Sequence, residues 1–308
     1  MAGQGTKVAT TDYNTLQNIA GSVLGKGSGN YGYGQATTSS AVSTSSKITA
    51  AHWNNLRADL IRARQHQTGT DISSTLAVVT GDKITDDARA AYQLIATAVD
   101  TNRLITPPTS QATRENLIPN QTATNWRVML TQTVTMTFLA GSNASYSYTA
   151  NDAARFYFNA GSQVEFSASL TGPFSAGSNL KSTTWQTMFS QMGTITFNAN
   201  ATTVSGSGTA SAIGYHQLTT GDQLIFQKLA PAGTYSANKY YIYARKSVDG
   251  SQVIFTIQFR DDSPQPNPPW GTDEYVDGTL TSVVQTYRAT GANVSLPLPG
   301  TTGPISGS

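Results

Sequence analysis

Leu130-Thr131-Gln132-Thr133-Val134-Thr135-Met136-Thr137-Phe138 alternates threonine with mostly apolar side chains. Successive side chains of an extended chain point to opposite faces, so this period of two predicts a strand with one dry face and one wet face. Working outward, short strands are predicted at 155–159, 163–170, 194–198, 223–227, 240–245, 252–260 and 280–288, with Val248-Asp249-Gly250-Ser251 as a hairpin turn between two of them. Only Ser182 to Met192 breaks the alternation. It places Trp185, Met188, Phe189 and Met192 on one helical side, and Gly193 ends it. Short strands separated by Gly, Ser, Asn and Pro turns predict an antiparallel β-sandwich, jelly-roll-like, over residues 120–300.

Upstream the period changes to 3.6. Leu16, Ile19, Ala20, Val23 and Leu24 form one face of a helix that Thr11 or Asp12 can cap and Gly25 ends. A second helix follows Thr49, where Ile48 and Trp53 are spaced to close a hydrophobic staple and Trp53, Leu56 and Leu60 form the apolar stripe. It stops at Gln65-His66-Gln67-Thr68-Gly69. A third runs from Asp86-Asp87 to about Arg103, its two first-turn carboxylates suiting the helix dipole and Tyr92, Leu94, Ile95, Ala98 and Val99 giving a broad apolar side. Pro107-Pro108 marks its boundary. The Gly/Tyr-rich run from Gly25 to Gly34 and the Ser/Thr-rich stretch from Thr37 to Ser46 read as an extended arm. The fold class is therefore α+β, with a helical region over 1–110 leading the sandwich. A hundred residues with so few core candidates suggest helices that pack on other chains or on the sandwich as well as on each other.

Composition narrows the chemistry. Charged residues are 12% of the 308, about half the usual share, while 14 Tyr, 10 Phe and 4 Trp argue for a folded chain. A net charge of +2 from scattered basic residues offers no footprint for nucleic acid. With no cysteine, disulfides and thiolate chemistry are excluded. No stretch is long and apolar enough for a membrane span, and the start Met1-Ala2-Gly3-Gln4-Gly5-Thr6-Lys7 lacks a signal-peptide core, so synthesis in a cytoplasm is expected.

Gly27, Gly29 and Gly32 match G-x-G-x-x-G but follow a helix rather than a strand, so a loop with positive φ is the better account than a dinucleotide site. His52, His66 and His216 lack metal-ligand spacing, and histidine-dependent catalysis is not expected. Asp261, Asp262, Asp273, Glu274 and Asp277 gather in a Pro-rich stretch that matches no EF-hand. They read as a solvated loop rather than a Ca²⁺ site or a glycosidase pair, the only glutamates being Glu115, Glu165 and Glu274. Tyr146, Tyr148, Tyr215, Tyr240, Tyr241 and Tyr243 fit cross-strand packing better than sugar stacking. No cofactor and no resident metal are expected.

Several linked runs resemble virion structural proteins of marine tailed phages, notably those infecting cyanobacteria. They are Gly27 to Gln35, Ile48 to Leu60, Ala63 to Gly69, Ala154 to Gly161, Gly193 to Phe197, Val253 to Asp262 and Val276 to Leu280. The resemblance implies a non-enzymatic, homo-oligomeric component of the virion, without distinguishing neck, tail, baseplate or fibre. On this reading the chain is a neck or tail appendage that docks on other virion proteins through its helices. Trp53, Leu56, Leu60, Tyr92 and Ile95 would be contact anchors, with Tyr31 and Tyr33 on an arm that orders on docking. The alternative is a fibre-tip protein that binds a host surface glycan, with Trp270 and the tyrosines on exposed loops.

Overall fold

The computed structural model describes residues 8–72, 77–79, 84–105, 109–175, 179–263 and 275–307. In chain order the elements begin with helices α1 (Thr10–Leu24), α2 (Ala50–Thr68) and α3 (Asp86–Thr101). Strands β1 (Ala112–Asn116), β2 (Gln121–Trp126), β3 (Met129–Thr137), β4 (Gly141–Ser142) and β5 (Ser147–Tyr148) come next, then helix α4 (Ala150–Asn159), β6 (Gln163–Thr171) and α5 (Asn179–Met192). Last come β7 (Ile195–Phe197), β8 (Thr202–Val204), β9 (Thr209–Ala210), β10 (Gln223–Leu229), β11 (Lys239–Lys246), β12 (Gln252–Arg260), β13 (Val276–Ala289), β14 (Gly300–Thr302) and β15 (Ile305–Gly307). The fold is α+β, helical first and sheet-rich after.

The chain forms two compact units built from discontinuous segments, whereas the sequence patterns suggested one division near residues 110–120. Unit one comprises Met1–Thr113, Ala140–Ser162 and Arg288–Pro297; unit two comprises Arg114–Leu139, Gln163–Tyr287 and Leu298–Ser308.

In unit one, α1, α2 and α3 each pack on the other two. Their shared core holds Tyr13, Leu16, Ala20, Trp53, Leu56, Leu60, Tyr92 and Ala96. Trp53 is its hub, meeting Tyr13 edge-on at 5.6 Å and Tyr92 at 5.1 Å. Ile48 packs on this cluster, as the staple requires. Thr49 caps α2 by accepting from the His52 amide at 3.3 Å, and His52 Nδ1 accepts the Thr49 amide in return at 3.1 Å, so an imidazole fills the role usually taken by Glu. Gly69, at φ 68°, closes the helix. The cap of α1 differs from expectation. Ala9 holds the N-cap position and Asp12 accepts the Ala9 amide at 3.2 Å.

Two expectations for this unit are corrected. Residues 155–159 lie in α4, not in a strand; Phe156 and Phe158 alternate by accident because Phe156, Tyr157, Phe158 and Asn159 are all buried. The deciding signal is local, since Thr149 caps the helix by accepting from the Asp152 amide and Asp152 accepts the Thr149 amide. Leu94, counted in the apolar side of α3, is 74% exposed, while the buried line runs through Tyr92, Ala96 and Val99. Pro107 and Pro108 lie outside the described residues.

Unit two contains two antiparallel sheets. One runs β1-β13-β6-β7-β8 with β2 also on β13, and the other runs β14-β3-β12-β11-β10-β9 with β15 also on β3. The opening alternation is β3, whose Leu130, Gln132, Val134 and Met136 are buried between more exposed threonines. The sheets meet at aromatic rings, with Phe255 of β12 lying 5.0 Å from Phe166 of β6 and 5.1 Å from Phe197 of β7. Helix α5 closes the remaining space: Trp185 packs edge-on against Trp126 at 5.4 Å, and Phe189 reaches Tyr240 and Phe259, each at 6.0 Å. The arrangement is a sandwich.

Replacing the core indole in Trp53→Ala should destabilise unit one by about 3–5 kcal/mol, the usual cost of emptying a buried tryptophan site. Chemical denaturation of the variant, followed by far-ultraviolet circular dichroism, checks this through an early loss of helical signal.

Candidate functional site

The residues expected to anchor other chains are spent inside this one. Trp53, Leu56, Leu60, Tyr33 and Tyr92 are each at most 1% exposed, and Ile95 is half-buried against the same cores. Tyr31 is half-buried with the Arg103 guanidinium 4.3 Å from its ring centre. Of the seven side chains expected at an interface, Trp53, Leu56, Leu60, Tyr33 and Tyr92 are therefore closed off inside this chain, and Tyr31 and Ile95 stay partly accessible. The signal was sound as a core signal, because an amphipathic stripe specifies burial without specifying whose surface does the burying.

The arm is likewise built into the fold. Tyr33, Gly34 and Gln35 donate backbone hydrogen bonds to Val23, Gly25 and Leu24, all at 2.8–3.0 Å. On α4, Arg155 donates to the carbonyls of Tyr31 and Lys26, and Asn159 donates to those of Gly29 and Tyr31. Glycine is required at 34 because φ is 73° and an added Cβ would fall 2.4 Å from the Phe156 ring. The Ser/Thr stretch is held by Asp59, a fully buried carboxylate that accepts from the amides and hydroxyls of both Thr38 and Ser39. Asn14 exchanges two hydrogen bonds, each 2.9 Å, with the backbone of Val42. Sequence reading missed these polar anchors; a lone Asp on the apolar side of α2 was the available clue.

Of the three imidazoles, His52 serves the cap of α2. His216 lies in a short 3₁₀ turn with its ring 5.3 Å from Tyr215. His66 is fully buried, edge-on to Tyr33 at 5.0 Å, and its Nε2–H donates to the Ala160 carbonyl at 2.9 Å. Burial pushes its pKa down to about 4, against the upward pull of that carbonyl.

Unit two presents its chemistry on the outer face of the second sheet. Tyr240, Ile242 and Ala244 of β11 point into the core, while Tyr241, Tyr243 and Arg245 lie on the wetter side. Cross-strand register places Gln227, Gln258 and Thr131 in line with Tyr241, and Leu224, Thr256 and Thr133 in line with Tyr243. The two tyrosine rings are 6.0 Å apart and edge-on. Charges at the margins are paired, Arg245 with Asp222 at 3.2 Å and Lys239 and Arg260 with Asp262 at 3.1 and 3.2 Å. What remains is an aromatic, amide and hydroxyl surface suited to an uncharged polar partner. Of the tyrosines weighed as packing residues, Tyr240 and Tyr215 are core, and Tyr241 and Tyr243 are not.

The acidic stretch is corrected in part. Asp261 is buried, not solvated, and its Oδ2 accepts from Lys181 Nζ at 2.9 Å. Burial raises its pKa, opposed by the adjacent ammonium. Asp277 accepts from the Ser175 amide at 2.7 Å. Asp273, Glu274 and Trp270 lie outside the described residues. Among the described residues no group of three His, Asp or Glu side chains is placed to hold a metal ion, and no helix is long and apolar enough to cross a membrane.

Two shallow depressions occur in unit two. One, of about 580 Å³, is lined by Asn125, Trp126, Arg127, Val128 and Tyr275, with Asn125 at φ 45°. The other, of about 320 Å³, lies between the threonines of α5 and residues 231–235. Comparison with known protein families, characterised proteins and solved structures finds no match.

Because His66 resists protonation in the fold, its contribution is complete above its unfolded value near 6.5 and is lost as pH falls toward 4. Unfolding free energy should drop by up to about 3 kcal/mol over that window. Denaturant titrations of the native chain and His66→Gln at pH 7 and pH 4 check this, the variant being expected to lose the histidine-dependent part of the slope.

Proposed function

We propose that this chain is a non-enzymatic structural protein of a tailed-phage virion, present in several copies as a neck or tail appendage. The observation that carries the reading is the set of linked runs that resemble such proteins, from the Gly/Tyr arm through α2 to α4. Its support is that these separate runs are physically interdependent in unit one: Arg155 and Asn159 of α4 hold the arm carbonyls, while His66 of α2 binds the Ala160 carbonyl.

The docking route differs from one based on the helical stripe. The stripe is internal, so contacts with neighbouring virion proteins fall to outward side chains. A low charge density and threonine-lined strands suit polar contacts of limited electrostatic range.

A second reading, recognition of a host surface glycan, is favoured by the Tyr241–Tyr243 face, where flat rings stand beside Gln and Thr side chains. Aromatic faces can cover the apolar side of a sugar ring while amides and hydroxyls bind its oxygens.

Quantitative mass spectrometry of purified particles tests the first reading. The chain should remain with particles through density-gradient purification at several copies per virion; its absence from intact particles would refute a virion role. Glycan-array binding by the full chain tests the second, with Tyr241→Ala/Tyr243→Ala expected to reduce any retained signal at least tenfold while leaving the unfolding midpoint within a few degrees.

A further inference from the structure

The side chains of Lys181 and Asp261 meet with no solvent exposure on either, and Nζ lies 2.9 Å from Oδ2. They are 80 residues apart in sequence. Lys181 stands in the first turn of α5, the end of a helix that favours anions, so local helix electrostatics do not explain a lysine there. Its neighbourhood is aromatic: the Tyr235 ring centre is 5.4 Å from Nζ, and Trp185 follows one turn along the buried side of α5.

Asp261 is held on both sides. Its amide donates to the Val128 carbonyl at 2.8 Å, and the Ser263 amide and hydroxyl donate to Asn238 Oδ1 at 3.1 and 2.7 Å. The α5 end is fixed too, because Ser182 Oγ accepts the Asp277 amide at 2.8 Å. Among the described residues, the second carboxylate oxygen, Oδ1, is buried and accepts no hydrogen bond. A buried ion pair with an unsatisfied oxygen offsets its desolvation cost poorly. Two rigidly placed reactants in a dry site, by contrast, are the condition under which an intramolecular reaction is most accelerated.

We propose that Lys181 and Asp261 condense to an intramolecular amide that ties the first turn of α5 to the end of β12. The pair already contains every atom required. Transfer of one ammonium proton to the carboxylate frees the nitrogen lone pair, which forms the bond to Cγ. The Cγ–O bond breaks with its electron pair on oxygen, and that oxygen, carrying the transferred proton and a second proton from nitrogen, departs as water. No oxidant, reductant or co-reactant is involved. Burial favours the protonated carboxyl that releases water, and exclusion of solvent slows the reverse hydrolysis. The product removes both buried charges. This inference rests on the interior of unit two and is independent of the proposed virion role.

Intact-mass measurement of the full chain, expressed and purified in its native fold, tests the proposal. The expected mass is that of the sequence less one water, and digestion should yield a branched peptide joining Lys181 to Asp261. Denatured in a gel, the cross-linked chain should migrate faster than Lys181→Arg, which should retain the full sequence mass. Asp261→Asn, which removes the carboxylate that takes the ammonium proton, should likewise retain the full mass of its sequence. A native chain that keeps its full mass after prolonged incubation in the folded state would overturn the proposal, whether or not the variants fold. So would a water loss that maps to a linear peptide, as from a succinimide.

Discussion

Phe255 stands between Phe166 and Phe197, its ring about 5 Å from each, at the place where the two sheets of unit two come together. This dry contact governs what the surrounding strands can be. A residue next to Phe255 along β12 must point away from it, and register then carries the same choice across β3 and β11. Threonines on β3 and Tyr241 and Tyr243 on β11 are thereby turned toward the wetter face. The interior also tolerates a polar side chain where it is supplied with a partner: Gln132 is fully buried and donates to the Gly303 carbonyl at 3.0 Å. Helix α5 completes the enclosure, Trp185 packing on the Trp126 ring and Phe189 on the Tyr240 ring.

Unit one solves a different problem. Three short helices provide a compact aromatic cluster, but the chain between them is rich in Gly, Ser and Thr and has little to bury. It is fastened by hydrogen bonds to polar side chains instead. Asp59 gathers four donors from Thr38 and Ser39, and Arg155 and Asn159 take up carbonyls of the Gly/Tyr arm. A carboxylate sealed from water is costly unless its oxygens are occupied, so this loop and α2 stabilise one another or neither is well placed. That coupling explains how a segment with the composition of a linker acquires a defined path.

The same residues illustrate what could be read early and what could not. Caps and stops are local: Thr49 and Gly69 act within one turn of themselves, and α2 begins and ends beside them. Alternation is nearly as local, and β3, β6, β11 and β12 followed it. It misled at 155–159, the second half of a short helix, where four consecutive residues from Phe156 to Asn159 are buried and two phenylalanines mimic a strand. The tyrosines of β11 show the limit from the other side, since Tyr240 and Tyr241 are the same residue type one position apart and only sheet orientation separates core from surface.

Periodicity, capping residues and turn composition thus determined the class of this protein, helical first and then β, because each acts through neighbours a few residues away. Which surface each apolar stripe covers, why an arm of glycines has one path, and how Lys181 comes to face Asp261 were decided only by tertiary structure. Burial and pairing depend on segments tens of residues apart, 80 for Lys181 and Asp261 and 129 for Arg155 and Lys26, and no local pattern encodes the partner.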